Sequence, residues 1–208
     1  SKYICDFEME KQKARVSVEH GADTIMDLST GQTEQDLIDM RQWILNEIPI
    51  PLGTVPVYQI GLKALEKSGA IIDMTEDDMF NVVEEQAREG VDYFTIHAGV
   101  TKQVVDRIKS HPRMMGVVSR GGTFMASWIL HHERENPFYE NYDYLLEMAE
   151  DYDFALSLGD GMRPGSILDS TDYAQVLELL KISELVELAR EKAVQVFVEG
   201  PGHIPAHP

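Results

Sequence analysis

The chain has 208 residues, a formal net charge of −18 and 43% apolar residues. That length suits about one to two domains, and the composition is that of globular proteins. The excess of negative charge argues against nucleic acid and anionic membrane surfaces as partners. No apolar stretch approaches the roughly 18 residues of a membrane span, and no signal-peptide pattern opens the chain, so we expect a cytoplasmic protein.

Six short apolar runs recur along the chain, and each ends in a cluster of glycines and polar residues. Continuous apolar runs of this length, separated by helical stretches, are typical of parallel strands covered on both faces. Catalytic and binding residues gather at the carboxyl ends of such strands, so the pattern indicates an enzyme. In chain order the predicted strands are residues 24–28, 53–57, 93–96, 115–118, 154–158 and 194–198.

Amphipathic segments lie between these runs and predict helices. Thr75 is the predicted N-cap of one of them, and Gly90 is predicted to end it. Alternation of strand and helix predicts a parallel sheet with right-handed crossovers. The predicted helices cover residues 8–20, 34–47, 80–88, 141–150, 170–180 and 183–192.

The order of elements predicts an α/β fold, most economically a (β/α)8 TIM-type barrel. About six βα units fall within residues 1–208, which would form a partial barrel and a single catalytic domain. We expect the first strand and the last unit of the barrel to be missing or disordered. The alternative is an open doubly wound sheet, which is disfavoured because no Gly-rich dinucleotide fingerprint follows any strand.

The densest cluster, GDGMRPG at residues 159–165, follows the fifth run. Arg163 offers a planar donor fork for phosphate or carboxylate, and Asp160 could bind a ribose hydroxyl or act as a base. The glycines allow a sharp turn that exposes backbone amides. The alternative is a tight surface turn with an Asp–Arg pair, which seldom explains such a cluster after a buried strand.

The SRGGT segment at residues 119–123 has similar chemistry. Gly121 and Gly122 free the backbone to wrap an anion, and Arg120 lies beside them. The structural alternative is a helix capped by Thr123, which is compatible with ligand binding.

Two further strand ends carry an imidazole or a carboxylate. Glu199 and His203, beyond the last run, could ligate a divalent metal or divide acid–base duties, or they could merely form an exposed turn. His97 follows the third run and could instead be a core histidine bonded to a carbonyl. Of these residues, Glu199 and His97 are the best candidates for supporting acid–base roles.

Five motifs taken in order resemble one known family. The match runs from about residue 21 to residue 205 and resembles the phosphomethylpyrimidine synthases, which are non-standard radical S-adenosylmethionine enzymes, and their paralogue 5-hydroxybenzimidazole synthase. The motifs are GTVPVYQ, DYFTIHAGV, VSRGG, LSLGDGMRPGSI and VEGPGHIP. The resemblance implies a carbon–carbon lyase or synthase that acts on 5-aminoimidazole ribotide, using a 5′-deoxyadenosyl radical generated at a 4Fe–4S cluster. It also implies a homodimer.

The resemblance carries specific residues over by position. His203 matches a ligand of a mononuclear divalent metal, either Zn or Fe. Met26 and Tyr58 enter only through the resemblance, because spacing alone would make them core or rim residues. The implied substrate contacts are Met26, Tyr58, His97, Ser119, Arg120, Gly121, Asp160, Gly161, Met162, Arg163 and Glu199.

The chain also departs from the family pattern. Cys5 is its single cysteine and cannot by itself hold an iron–sulfur cluster. The family's cluster cysteines lie in a C-terminal segment that nothing here matches, and the second metal histidine is absent as well. We therefore expect the chain to be part of a longer protein.

The product is the least determined feature. Met162 stands where phosphomethylpyrimidine synthases usually have Leu, and Ser183 where Gly is usual, which favours 5-hydroxybenzimidazole synthesis for the lower ligand of vitamin B12. Drift within the thiamine branch, which makes 4-amino-5-hydroxymethyl-2-methylpyrimidine phosphate, explains these changes nearly as well. Two other classes stay open: a metal-dependent aldolase or isomerase acting on a sugar phosphate, and a binding protein that has lost its cluster domain.

Overall fold

The computed structural model describes residues 6–30 and 33–205. Cys5 lies outside the described residues, as do Gly31 and Gln32. The chain divides into two compact units, each with helices and paired strands. The first unit comprises Ser1–Thr95 and Tyr152–Phe154, and the second comprises Ile96–Asp151 and Ala155–Pro208.

Helices and short strands alternate along the described residues. The strands are β1 (Ile25–Asp27), β2 (Leu52–Thr54), β3 (Tyr93–Ile96), β4 (Ala155–Leu158) and β5 (Val196–Val198). The helices are α1 (Phe7–Glu19), α2 (Glu34–Glu47), α3 (Pro56–Ser68), α4 (Glu76–Glu89), α5 (Lys102–Ser110), α6 (Arg120–His132), α7 (Pro137–Glu140), α8 (Tyr142–Tyr152) and α9 (Tyr173–Glu191). Two short 3-10 helices cover Ile71–Asp73 and Ile167–Asp169.

In the first unit, β2 lies between β1 and β3 and pairs with both in parallel. Gly53 stands opposite Met26 in β1, and the Tyr93 ring packs directly against it. A Cβ added to Gly53 would lie 2.0 Å from a ring carbon of Tyr93, so only glycine fits there. The Tyr93 hydroxyl donates to the carbonyl of Ile25 at 3.2 Å, which satisfies its polar end inside the packing.

The helix ends of the first unit follow the capping signals in the sequence. Thr75 accepts a hydrogen bond from the Asp78 backbone amide, and the Asp78 carboxylate accepts one from the Thr75 amide. The side-chain hydrogen bond from Thr75 is also the main reason that the pKa of Asp78 lies below its usual value. Gly90 ends α4 with φ of 97°, a conformation that glycine adopts without strain. The predicted N-cap and C-cap of this helix are therefore confirmed.

A buried polar network joins three helices of the first unit. Arg41 on α2 is only 2% exposed, and its guanidinium pairs with Glu89 on α4 and donates to Gln59 on α3 at 3.0 Å. Gln86 donates to the same Gln59 oxygen at 2.8 Å and accepts from the Thr54 hydroxyl at 2.5 Å. Because each of these groups has a partner, the network ties the helices to β2 instead of destabilising the core.

In the second unit, three chain segments lie side by side at the ends of strands. β4 and β5 pair in parallel, with Leu156 opposite Val196. The Gly159 amide donates to the Ile96 carbonyl at 2.9 Å, and the Glu199 amide donates to the Leu158 carbonyl at 3.1 Å. The loops that follow β3, β4 and β5 therefore begin next to one another, as the parallel arrangement predicts.

The predicted strand at residues 115–118 is wrong, because no strand forms there. Gly116 has φ of 63°, which breaks the extended backbone. The amides of Met114 and Met115 donate to the Asp169 carboxylate at 2.9 and 3.0 Å, and not to a neighbouring strand. Met115 is also 56% exposed, so this apolar run does not enter the core.

Two other predicted boundaries differ from the structure. The second run ends as a strand at Thr54, and Pro56 begins α3 at its first position, where the fixed φ of proline favours a helix. Tyr58 therefore lies in the first turn of a helix and not after a strand. The two helices predicted at 170–180 and 183–192 form the single helix α9, because no glycine or proline interrupts residues 180–183 and Ile182 is buried.

The parallel pairings confirm the α/β class. Within the described residues the chain forms five strands, one fewer than predicted. The eight-stranded barrel and the alternative open sheet both stay predictions. Among the described residues, none of the helices has the length and apolar character that crossing a bilayer requires.

Candidate functional site

His97 follows β3 and packs against the start of α6. Its Nε2 atom lies 3.4 Å from the Ser119 hydroxyl, and a Cβ added to Gly121 would lie 2.2 Å from the imidazole Cε1. Gly121 is therefore required for the close approach of α6 to the ring. Behind the ring, the side-chain amide of Asn136 donates to the carbonyls of His97 and Val100, each at 2.9 Å, and fixes the turn that follows the strand.

The His97 imidazole is neutral at physiological pH. The pKa of His97 is lowered to about 4, chiefly by burial and to a smaller extent by the positive charge of Arg163. Its Nδ1 atom is buried and has no hydrogen-bond partner among the described residues. A buried polar atom without a partner is costly, so a ligand atom could satisfy this nitrogen.

The SRGGT segment is the first turn of a helix. Ser119 is the N-cap of α6, and its hydroxyl accepts from the Gly122 amide at 3.1 Å. The structural alternative, a cap by Thr123, is wrong, because α6 already begins at Arg120 and the Thr123 hydroxyl donates to the Ser119 carbonyl at 2.7 Å. A Cβ added to Gly122 would lie 2.4 Å from the Gly161 carbonyl oxygen, so this turn touches the loop that follows β4.

The loop after β4 also contacts the loop after β5. Asp160 is 5% exposed, and its carboxylate accepts from the Gly202 amide at 2.5 Å. The Glu199 carboxylate accepts from the Ser157 hydroxyl at 3.2 Å and from the Asp160 amide at 3.4 Å. Asp160, Glu199 and the glycines of the last loop therefore meet, as the sequence predicts for strand ends in a parallel sheet.

The backbone amides of this loop do not face outward. The amides of Gly161 and Met162 donate to the carboxylate of Glu178, a residue of α9, at 2.9 and 2.7 Å. The prediction that this turn exposes its backbone amides is therefore wrong for these two residues. Arg163 is half-buried and donates to the Asp160 carbonyl at 2.7 Å, which holds its side chain beside the loop.

His203 has the orientation expected of a metal ligand. Its Nδ1 atom lies 2.8 Å from the Pro164 carbonyl oxygen, which can only accept, so Nδ1 carries a proton and the neutral ring would present its lone pair at Nε2. The residue has φ of 57°, a strained value for a side chain other than glycine. Among the described residues, no group of three potential metal ligands surrounds a common point.

Two comparisons with known proteins bear on this arrangement. A sequence model of the radical SAM ThiC family matches residues 1–208. The chain belongs to this family.

Curated relatives in the family are also closely similar. The phosphomethylpyrimidine synthases of Thermococcus gammatolerans and Pyrococcus furiosus are each 55% identical over 205 residues, which is 99% of this chain and 47% of theirs. That of Methanocaldococcus jannaschii is 54% identical over 200 residues, covering 96% of this chain and 46% of its own. The chain thus spans just under half the length of these relatives. The resemblance inferred from the five motifs is confirmed.

Within this ThiC-family chain, two predicted substrate contacts lie in the first unit. Met26 is the central residue of β1, and its sulfur lies 3.8 Å from the Thr95 hydroxyl. Tyr58 is half-buried near the start of α3. Their roles stay predictions.

Met162, in the second unit, is fully buried. Its backbone is held by Glu178 and by Arg113, which donates to the Met162 carbonyl at 2.8 Å. Its contact with a substrate also stays a prediction.

The residues that support the site from behind were not predicted from the sequence. Glu178 and Asn136 are almost completely buried, and Gln175 donates to the Gly202 carbonyl at 2.8 Å. One signal could have indicated Glu178, a carboxylate set between Leu177 and the apolar residues that follow it on a predicted helix. For Asn136, on a connection between helices, the sequence offers no comparable signal.

Proposed function

We propose that the full protein is a phosphomethylpyrimidine synthase. It converts 5-aminoimidazole ribotide to 4-amino-5-hydroxymethyl-2-methylpyrimidine phosphate in an S-adenosylmethionine-dependent radical rearrangement, a step of thiamine biosynthesis. The support is identity of 54–55% to three curated proteins of that name over almost the whole chain. This proposal adopts the thiamine branch, which the sequence alone left as the alternative to 5-hydroxybenzimidazole synthesis.

The preference for 5-hydroxybenzimidazole rested on a few positions, chiefly Met162. That side chain is 0% exposed, and its backbone is occupied by Glu178 and Arg113. A Leu-to-Met exchange at a buried position is volume-conserving and usually tolerated, so it carries little weight for a change of product. The similarity to three phosphomethylpyrimidine synthases is therefore the stronger evidence for the product.

One observation carries the assignment of the substrate site to the second unit. The loops after β3, β4 and β5 and the first turn of α6 contact each other through His97, Gly121, Gly122, Gly161 and Asp160. A ribotide offers a phosphate, ribose hydroxyls and a flat aminoimidazole, which need cationic, carboxylate and neutral polar partners respectively. All three kinds of group meet in this place.

The roles of the individual side chains follow from their chemistry. Arg163 and Arg120 pair with the phosphate, because guanidinium groups bind phosphate oxygens in a fork. Asp160 and Glu199 accept hydrogen bonds from ribose hydroxyls. His97 is uncharged, and its buried Nδ1 takes one hydrogen bond with the ligand in place of water.

The cofactors of the proposed reaction fit the described residues only in part. His203, with its lone pair on Nε2, would be one ligand of a mononuclear divalent metal. A 4Fe–4S cluster needs cysteine thiolates, and Cys5 is the single cysteine of the chain, so the cluster ligands would lie elsewhere in the full protein. Cluster and S-adenosylmethionine together would supply the 5′-deoxyadenosyl radical. The eight-stranded barrel and the homodimer belong to the same proposal.

Anaerobic turnover of the full-length, cluster-reconstituted protein tests this function. We expect consumption of the ribotide that depends on S-adenosylmethionine and formation of the phosphorylated hydroxymethylpyrimidine, identified by mass spectrometry. Formation of 5-hydroxybenzimidazole would move the protein to the other branch. Ribotide consumption without S-adenosylmethionine, or none at all, would reject the proposed reaction.

A further inference from the structure

A carboxyl group lies directly behind the Asp160–Arg163 loop and is absent from the predicted substrate contacts. Glu178 is 1% exposed and sits on α9. Its Oε1 atom accepts from the Gly161 amide at 2.9 Å and its Oε2 atom from the Met162 amide at 2.7 Å. Both carboxylate oxygens are therefore engaged with consecutive backbone amides of the loop.

Two glycines allow the backbone to approach Glu178 closely. A Cβ added to Gly161 would lie 2.9 Å from Glu178 Oε1 and 2.4 Å from a methyl carbon of Val100. A Cβ added to Gly99 would lie 3.0 Å from Glu178 Cγ and 2.7 Å from Ile182. A side chain at either glycine would push the carboxyl or its helix away from the loop.

The contact with Glu178 decides which groups the loop can offer to a ligand. With the amides of Gly161 and Met162 directed at the carboxyl, recognition falls to the side chains of Asp160 and Arg163. Arg163 donates to the Asp160 carbonyl, and Asp160 accepts from the Gly202 amide, so both side chains depend on the same backbone conformation. A change at Glu178 is therefore transmitted to two predicted substrate contacts.

The same face of α9 also supports the last loop. Gln175 lies three residues before Glu178, which places it on the same side of the helix. Its side-chain amide donates to the Gly202 carbonyl at 2.8 Å, while its oxygen accepts from the Thr171 amide at 2.8 Å. One helix face thus holds the backbones of both loops that carry acidic site residues.

A carboxyl at this position is costly to bury. The pKa of Glu178 is raised to about 8, chiefly by burial and also by the nearby Asp160 carboxyl, while the two backbone hydrogen bonds partly oppose the increase. A group placed only for stability would more economically be apolar, since well-packed apolar replacements of buried charges are often neutral or stabilising. Features that cost stability in this way are expected at functional sites.

We propose that Glu178 is a positioning residue for substrate binding, which fixes the backbone of the Asp160–Arg163 loop so that Asp160 and Arg163 face the ribotide. The proposal rests on the proposed function for the identity of the substrate. Glu178 does not touch the substrate itself and acts through Gly161 and Met162.

The test uses Glu178→Gln and, as a matched control, Glu187→Gln in the full-length protein. Glu187 is an exposed carboxylate on the same helix, and it forms an ion pair with Arg190. Glutamine keeps the size of Glu178 and one acceptor, but its NH2 group must face one of the two backbone donors. We expect the ribotide to bind about tenfold more weakly to Glu178→Gln, because one buried backbone donor of the loop is left without an acceptor and the loop shifts.

Two readouts separate positioning from a merely structural role. Hydrogen exchange should be faster at the amides of Gly161 and Met162 in Glu178→Gln only, because one of these two buried donors loses its acceptor. With substrate, KM should rise while kcat changes by less than about threefold, since binding and not chemistry is affected.

Unchanged exchange at Gly161 and Met162 would overturn the proposal, as would faster exchange with an unaltered ribotide affinity. A lowered unfolding temperature with unaltered affinity would make Glu178 merely structural. If the wild-type protein does not bind the ribotide, the proposed function fails, and the exchange measurement still decides whether Glu178 holds the loop.

Discussion

His97 combines full burial with a titratable ring, so its effect on stability has a defined pH window. Its pKa is about 4 in the folded protein and 6.5 in the unfolded chain. Between these values the unfolded chain binds one more proton than the folded protein does, so this contribution to stability is lost as the pH falls from 6.5 towards 4.

Replacing His97 with Gln should remove this dependence. We expect the difference in the free energy of unfolding between wild type and His97→Gln to change by up to about 1.4 kcal/mol per pH unit inside that window and to be flat above it. Urea unfolding at several pH values between 4 and 8 measures the difference. His20→Gln, at the exposed C-cap that follows α1, serves as the control. Parallel curves for wild type and His97→Gln would show that the ring titrates normally.

Gly121 is predicted to be intolerant of any side chain. The Cβ of Gly121→Ala would lie 2.2 Å from the His97 ring, so the ring or the helix must move. Overpacking of this kind costs about 1–3 kcal/mol, and the displaced imidazole should also weaken ribotide binding. Thermal unfolding and ribotide titration check both effects, with Ser127→Ala on the same helix as the control. Wild-type affinity in Gly121→Ala would separate His97 from the substrate site.

Arg163 is the residue whose loss should affect ribotide binding most directly. A charge-assisted hydrogen bond to phosphate contributes about 1.5–3 kcal/mol, so Arg163→Ala should bind the ribotide roughly 10- to 100-fold more weakly. The unfolding temperature should hardly change, because the side chain lies on a loop. Calorimetric titration against Arg190→Ala, an exposed arginine of α9, provides the comparison. Equal affinities of the two variants would remove Arg163 from the phosphate site.

Among the elements, those with strong local signals were predicted well. The bounds of α2 and β3 match the prediction, and α4 begins at its capping box and ends before Gly90. These features depend on neighbours in sequence, so the sequence contains what decides them. The strand prediction at 115–118 failed because the Met115 amide binds Asp169, more than 50 residues away, which local periodicity cannot reveal.

In the candidate site, too, the sequence indicated the residues with local signals and not those that depend on distant contacts. Glycines and polar groups at strand ends indicated the loops of His97, Asp160 and Glu199, because parallel strands bring their carboxyl ends together. The supporting side chains were missed, since Glu178 reaches the loop from a helix that begins ten residues later. Met26 and Tyr58 could be named only through family resemblance, as nothing in their spacing distinguishes them from core residues.

The hydrogen-bond network around Arg41 is expected to stabilise the packing of helices in the first unit. Arg41→Ala would leave Glu89 and Gln59 without their shared partner, in a place where Arg41 itself is 2% exposed. Because Arg41 is buried and Glu89 is half-buried, breaking this pair should lower the free energy of unfolding by about 2 kcal/mol, less than for a fully buried pair. Arg88→Ala, which removes an exposed ion pair with Glu84, should cost less than about 1 kcal/mol. Chemical denaturation compares them, and equal losses would contradict the account.

For the whole molecule, membership of the radical SAM ThiC family and the meeting of loops in the second unit support one proposal from independent directions. The family comes from similarity along residues 1–208, and the meeting of loops comes from contacts such as that between Asp160 and Gly202. Because the chain spans just under half of its relatives, the complete reaction has to be examined in the full-length protein.

A crystal structure of the full-length protein with 5-aminoimidazole ribotide bound tests the proposed site most directly. We expect the ribotide phosphate within hydrogen-bond distance of Arg163 or Arg120, with Asp160 and His97 contacting the remainder of the molecule. Ribotide bound away from the loops that follow β3, β4 and β5 would contradict the account.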